Sequence, residues 1–308
     1  MKIYSKEEIK VNLPYSELID ALNDGFKKGG NAPLRHHHPV NTENGTENSF
    51  LIMPCWQEGG MMGVKMVMVC PDNHKQKLES VQSTYILSDA TTGVTKAILD
   101  GDELTVRRTS CASALASKYL SNPDASCMLM MGAGKLAAHL IRAHAAVRNL
   151  TEIYVWARRF EQAQELAAHH DLNVMAVKDP AEFAKKADII SCATLAKEPI
   201  LKGAWLDPNK KQHIDLVGGY TKDMREADND VVAKASIYID TDGALAEAGD
   251  ILRPINEGII TTDDVKGDLF DMVKTGFKTP DGTTMFKSVG TALEDLIAAK
   301  VVYEKTAI

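Results

Sequence analysis

An apolar run of strand length, Cys127-Met-Leu-Met-Met131, stops at Gly132-Ala-Gly134 and resumes through Lys135 to His144 with helical spacing. A strand that enters a helix through a glycine pair constrains this chain more than any other stretch. Gly132 and Gly134 allow a tight turn and the close approach of a pyrophosphate, and small Ala137 stands where the helix must pack on the strand. The phosphates would face the helix amino end, where backbone N–H groups lack partners. Because the strand carries no charge and Leu140, Ile141 and Val147 continue an apolar face, the context favours a Rossmann-type dinucleotide turn over an ordinary loop.

Around this stretch the chain changes pattern. Beyond a turn at residues 121–124, strand candidates at 127–131, 153–157, 174–177, 188–193, 214–217 and 237–240 alternate with helical spacing, as in a doubly wound parallel sheet. Before it, Pro14 opens a helix that Gly29-Gly30 closes, and residues 41–48 form a polar turn. Strands at 49–56, 63–70, 83–88 and 93–99 then make a sheet of their own, followed by a small-residue helix over 102–120 with Asp102 as its N-cap. A last helix over 291–307 carries Leu293, Leu296, Ile297, Val301 and Val302 on one face.

Length and charge narrow the class. With 308 residues and 44% hydrophobic content there is material for two packed domains. A net charge of -7 with no block of like charges gives no footprint for nucleic acid or an anionic membrane. The five cysteines, Cys55, Cys70, Cys111, Cys127 and Cys192, form no Cys-x-x-Cys pair and read as reduced core residues. Neither a signal-peptide core nor an 18-residue apolar run occurs, so a cytoplasmic location is expected.

Several cations stand in unusual places. Lys65 lies inside the most apolar strand of the first sheet, where an ammonium needs an anionic partner, either a substrate carboxylate or a structural ion pair. Arg107 and Arg108 fall in the first turns of a helix, a poor dipole arrangement unless an anion is expected there, so one of them is placed for binding. His36, His37 and His38 follow Arg35, but neighbours in a strand point to opposite faces, and no metal site is expected. After the second Rossmann strand, where an NAD site usually carries Asp or Glu, stand Ala157-Arg158-Arg159. Guanidinium groups there suit a 2′-phosphate, so NADPH is the preferred cofactor, with NADH also admitted.

Taken together, Gly63-Val-Lys65, Leu104-Thr-Val-Arg-Arg-Thr109, Gly132-Ala-Gly-Lys-Leu-Ala137, His213-Ile-Asp-Leu-Val-Gly-Gly219 and Phe286-Lys-Ser-Val-Gly290 make the chain resemble the ornithine cyclodeaminase and mu-crystallin family nearly end to end. The resemblance implies an α/β fold: a Rossmann-type doubly wound parallel sheet domain over residues 121–290, and an α+β substrate-binding and dimerisation domain over 1–120 completed by 291–308. It also implies a homodimer paired through the first sheet, and a substrate pocket between that sheet and the Rossmann domain. The family's carboxylate-binding cations fall on Arg35, Lys65 and Arg108, with Lys65 and Arg108 catalytic and Val289 bordering the substrate. Its cofactor contacts fall on Ser80, Arg108, Thr109, Gly132, Gly134, Lys135, Leu136, Ala157, Arg158, Arg159, Thr194, Val217, Gly218, Gly219 and Ser288.

Two departures bear on the chemistry that the resemblance implies. The cyclodeaminase branch has an aspartate directly after the glycine pair of the fifth strand, Gly218-Gly219 here, where Tyr220 stands, and a glutamate two residues before its Met-Pro pair, where Leu51 precedes Met53-Pro54. Without those acids the carboxylate clamp and hydride donor remain, but the means of binding and deprotonating a diamino acid do not. The run Val217-Gly-Gly-Tyr-Thr-Lys-Asp-Met-Arg-Glu226 is similar to the branch that reduces cyclic ketimines. The expected activity is NAD(P)H-dependent reduction of a cyclic imino acid, Δ1-pyrroline-2-carboxylate to L-proline first and the six-membered homologue to L-pipecolate second. Ornithine or lysine cyclodeamination, an alanine dehydrogenase-like activity and NADPH-dependent ligand binding without turnover are the competing readings.

Overall fold

The computed structural model describes residues 1–43 and 45–306. The chain divides into two compact units, one formed by Met1–Arg108 with Thr291–Ile308 and the other by Thr109–Gly290.

In the first unit the elements are β1 (Lys2–Tyr4), α1 (Lys6–Asn12), α2 (Tyr15–Lys28), β2 (His36–Asn41), β3 (Glu47–Trp56), β4 (Met61–Val69), β5 (Val81–Asp89) and β6 (Thr95–Asp100). Among the described residues the strands make a six-stranded sheet in the order β1-β6-β5-β4-β3-β2. Its central strands alternate strictly. Gly63, Lys65 and Val67 of β4 turn to the buried side, facing Cys55, Met53 and Leu51 of β3 in register, whereas Met62, Val64, Met66 and Met68 turn outwards. Outward neighbours continue that apolar surface with Phe50, Ile52, Pro54 and Trp56 on one side and Ile86 and Ile98 on the other. Trp56, Met62 and Met66 on it remain exposed.

A long helix, α3 (Gly101–Leu120), follows β6 directly. Its cap is Asp100 rather than the expected Asp102: the Asp100 carboxylate accepts from Glu103 N at 2.8 Å, and Asp102 accepts from the Ser83 hydroxyl at 2.7 Å. The helix starts one residue earlier than the pattern suggested because Asp100 ends its strand in position to cap. The two units divide inside this helix, not at the turn 121–124. Arg108 is tied to acids of the C-terminal helix, whereas the carbonyls of Ser117 and Leu120 accept from Arg148 and Thr284 of the second unit.

The second unit contains β7 (Cys127–Met131), α4 (Lys135–Val147), β8 (Glu152–Trp156), α5 (Phe160–His169), β9 (Val174–Ala176), α6 (Pro180–Lys186), β10 (Ile189–Cys192), β11 (His213–Leu216), α7 (Asn229–Lys234), β12 (Ser236–Ile239), α8 (Gly243–Glu247), α9 (Gly249–Asn256), β13 (Val265–Gly267), α10 (Leu269–Met272) and β14 (Thr284–Lys287). The chain returns to the first unit as α11 (Ala292–Thr306); the expected end at Ala307 lies outside the described residues.

Strand order here is β13-β12-β14-β11-β10-β7-β8-β9, with parallel pairing. It is covered on both faces: Cys127, Leu129 and Met131 join one core, and Met128 and Met130 the other. That is why β7 reads as an unbroken apolar run. The chain runs outwards from β7 through β8 to β9, then crosses back to β10, so the order reverses between β7 and β10. β14 was not foreseen as a strand. Lys287, its last residue, is fully buried and paired with Asp250 at 2.9 Å, a partner that only the tertiary fold supplies.

Candidate active site

In the first unit Lys65 occupies the middle of the buried side of the sheet, between Met53 and Tyr85 in register, and is 1% exposed. Its Nζ lies 2.9 Å from both carboxylate oxygens of Asp295 on α11 and 3.1 Å from Thr105 Oγ1. Arg108 Nε donates to the same Asp295 at 2.9 Å, and its terminal nitrogen donates to Glu294 at 2.7 Å. One carboxylate thus serves two buried cations. Burial and the positive charges of Arg108 and Arg35 outweigh Asp295 and depress the Lys65 ammonium to about 8. Arg108 is different: burial opposes its charge, but Asp295 and Glu294 overcome that and hold its pKa above the usual value.

The anionic partner that Lys65 requires is therefore present within the protein itself. Glu294 and Asp295 were not foreseen in that role, although an acid pair on the apolar face of the last helix was a readable signal. Of the two arginines, Arg107 is structural in its contacts. It bonds Glu103 at 2.6 Å and the Leu13 carbonyl at 2.8 Å and lies over the Tyr15 ring. Arg35, half-buried before β2, acts on Lys65 through its charge. Ser80 is half-buried ahead of β5, its carbonyl accepting from Cys70 N. Leu51 lies on the same side of β3 as Met53, two residues from the Lys65 pair. His36–His38 lie on an exposed edge strand, with the rings of His36 and His38 6.3 Å apart. Among the described residues no group of three His, Cys, Asp or Glu could hold a metal.

In the second unit the glycine turn joins β7 to α4 where the strand order reverses. Gly132 has φ +122°, and a Cβ there would come within 2.6 Å of the Ala193 carbonyl that follows β10. Gly134 caps α4 without a side chain and has no atom within 4 Å of where a Cβ would be. It and Lys135 are exposed, Leu136 is half-buried, Ala137 is fully buried, and the first turn of α4 holds no acid. An uncluttered helix amino end beside a close strand crossing has the chemistry and space for a pyrophosphate. Beyond β8, Ala157 is buried while Arg158 and Arg159 are exposed, and among the described residues neither guanidinium has an acidic partner. Lys178, just past the neighbouring β9, lies 4.9 Å from the Phe160 ring and was not singled out beforehand.

Thr194, Val217-Gly218-Gly219 and Ser288-Val289 follow the ends of β10, β11 and β14, three adjacent parallel strands. Ser288 donates to Asp240 at 2.9 Å, and the same carboxylate accepts from Val289 N at 2.7 Å and Gly290 N at 2.6 Å. Thr109 begins this unit, largely buried on α3, and Tyr220 is half-buried against the core.

The profile of the ornithine cyclodeaminase/mu-crystallin family matches residues 1–307. The chain belongs to this family. Its solved relatives include the Δ1-pyrroline-2-carboxylate reductase of Thermococcus litoralis in complex with NADH and L-proline, which is 31% identical and superposes with a TM-score of 0.92 over 100% of this chain and 98% of that one. A Δ1-pyrroline-2-carboxylate reductase of Colwellia psychrerythraea is 35% identical over 320 residues, covering 100% of both chains. An uncharacterised protein of Schizosaccharomyces pombe is 43% identical over 97% of this chain and 96% of its own length.

Proposed function

We propose that this family member is an NAD(P)H-dependent oxidoreductase acting on C=N bonds, reducing a cyclic imino acid, with Δ1-pyrroline-2-carboxylate as first substrate and Δ1-piperideine-2-carboxylate as second. The observation that carries this reading is the setting of Lys65: on the inner face of the first sheet it shares Asp295 with Arg108, and the charge of Arg35 also reaches it, so three cations stand against the two acids Asp295 and Glu294. A substrate carboxylate would relieve that excess. Arg35, Lys65 and Arg108 hold the carboxylate. The Gly132–Gly134 turn and the amino end of α4 would hold the dinucleotide, whose nicotinamide would supply a hydride for the imine carbon, with the already protonated ring nitrogen taking the electron pair of the C=N π bond to become the amine.

Support for the cofactor comes from the glycine turn at the switch point and the open amino end of α4. NADPH is preferred over NADH because Arg158 and Arg159 stand where a ribose-binding carboxylate would, with Lys178 adding a third cation nearby. Tyr220 and Leu51 in place of acids count against cyclodeamination. The protein acts as a homodimer that covers the outward apolar face of the six-stranded sheet, since an exposed surface bearing Trp56, Met62 and Met66 calls for a partner.

The test follows NADPH absorbance with pyrroline-carboxylate, piperideine-carboxylate and pyruvate plus ammonia, and ammonia release from ornithine with NAD+. Oxidation with the cyclic imines alone is expected. Ammonia release from ornithine would assign the protein to cyclodeamination instead, and turnover only with pyruvate plus ammonia would make it an amino-acid dehydrogenase.

A further inference from the structure

Beneath the glycine pair after β11 lies a buried cluster that the reaction as described does not use. Glu226 is 0% exposed. One of its oxygens accepts from Thr194 N at 2.6 Å and from the Thr194 hydroxyl at 2.8 Å; the other accepts from Gly218 N at 2.8 Å and Gly219 N at 3.4 Å. The two segments it joins follow neighbouring parallel strands, β10 and β11, and they touch. A Cβ on Gly218 would overlap the backbone of Thr194 and meet the Glu226 carboxylate. A dinucleotide spread across a switch point with its phosphates on the β7 turn extends its nicotinamide half over these strand ends.

We propose that Glu226 is a positioning residue for the cofactor: by accepting from Thr194, Gly218 and Gly219 at once, its carboxylate holds the two turns at the spacing that the nicotinamide half requires. The inference rests on the dinucleotide reading of those turns. Three of the four contacts are backbone N–H groups, which can only donate, and the ionised acid receives all of them as charge-assisted bonds while also accepting from the Thr194 hydroxyl. A protonated Glu226 would have to turn its O–H towards the Thr194 hydroxyl and would accept from the three N–H groups without its charge, so the bonds that hold the two turns together would weaken.

The surroundings set this acid near its switching point. Burial pushes Glu226 up to about 7, against the attraction of Lys287 on β14, while Asp250 on α9 adds to the rise. Asp250 is committed to Lys287 and to the backbone of Glu226 and Ala227. Asp240 after β12 also acts on Lys287, and the buried thiol of Cys192 on β10 lies within reach of the Glu226 charge.

Binding of NADPH and of NADH is titrated by fluorescence between pH 6 and 9 for the full chain, Glu226→Gln and Glu226→Asp, with melting temperatures alongside. Wild-type affinity for both cofactors should fall as the pH drops below about 7. The effect with NADH separates Glu226 from titration of the 2′-phosphate. Glu226→Gln should bind about ten- to a hundredfold more weakly at pH 8, the size expected for a lost charge-assisted hydrogen bond, and should lose the acid limb; Glu226→Asp should recover part of it. A folded Glu226→Gln that binds like wild type, or keeps the same limb, overturns the inference while leaving the dinucleotide site intact. Should that variant not fold, a wild-type NADH profile flat between pH 6 and 8 overturns it. Failure of the wild type to bind either cofactor overturns the dinucleotide reading, and this inference with it.

Discussion

An ammonium on the inner face of a sheet must be matched by anions, and Lys65 shares its acid with Arg108. With its pKa near 8, the free protein carries the ammonium below that pH and the neutral amine above it. A carboxylate binds the ammonium, so affinity is present below pH 8 and is lost as the pH rises through it. The inhibition constant of pyrrole-2-carboxylate, whose charge is constant over this range, should rise about tenfold per pH unit above 8. Lys65→Met should flatten that limb and weaken binding by about 1.5–3 kcal/mol; an unchanged limb in the variant would show that Lys65 does not meet the ligand. At the other end of the chemistry, Arg158→Ala with Arg159→Ala should raise the Michaelis constant for NADPH and leave that for NADH nearly unchanged, because both side chains are exposed and lack acids of their own. Equal effects on the two cofactors would remove the 2′-phosphate assignment.

Among the elements, α11 is a helix of the far C-terminus that supplies the acids for cations on β4 and α3. Asp295→Asn retains the shape but leaves Lys65 and Arg108 with less anion in a dry setting. Breaking such a pair costs about 3–5 kcal/mol. The urea midpoint should fall accordingly with an unchanged slope, and a stability loss of only about a few tenths of a kcal/mol would mean that water reaches the cluster. The parallel sheet of the second unit shows the same economy of buried charge. Asp215 on β11 accepts from Ser191 at 2.6 Å and faces His144 of α4 at 3.3 Å, and burial pushes neighbouring His213 down to about 3, so it stays neutral while its ring bonds Thr284. These links pin helix to sheet.

At the scale of the whole molecule, the proposed homodimer would cover the outward apolar face of the six-stranded sheet. Met66→Lys with Ile86→Lys places two cations on that surface without touching the buried side of the sheet. Wild type should sediment at twice the chain mass and the double variant at the chain mass; a variant that remains dimeric would put the interface elsewhere. Much of the architecture was legible beforehand because its signals are local. The apolar run into Gly132-Ala-Gly134, the alternation of strands and helices after it, and the odd charge at Lys65 each depend on residues near one another in sequence. What stayed hidden joins residues far apart. Asp295 lies 230 positions from Lys65, so its role required the fold. The short β14 reads poorly because a strand ending in Lys287 makes sense only once Asp250 is beside it. Glu226 enters the sequence reading only as the end of the run from Val217, because its contacts exist only once the turns after β10 and β11 are brought together over it. Sequence by itself determined the class of fold and the positions of the cations, since periodicity and glycine placement act over a few residues. Tertiary structure alone decided which acid each buried cation meets, because that is set by which distant strands and helices share a dry interior.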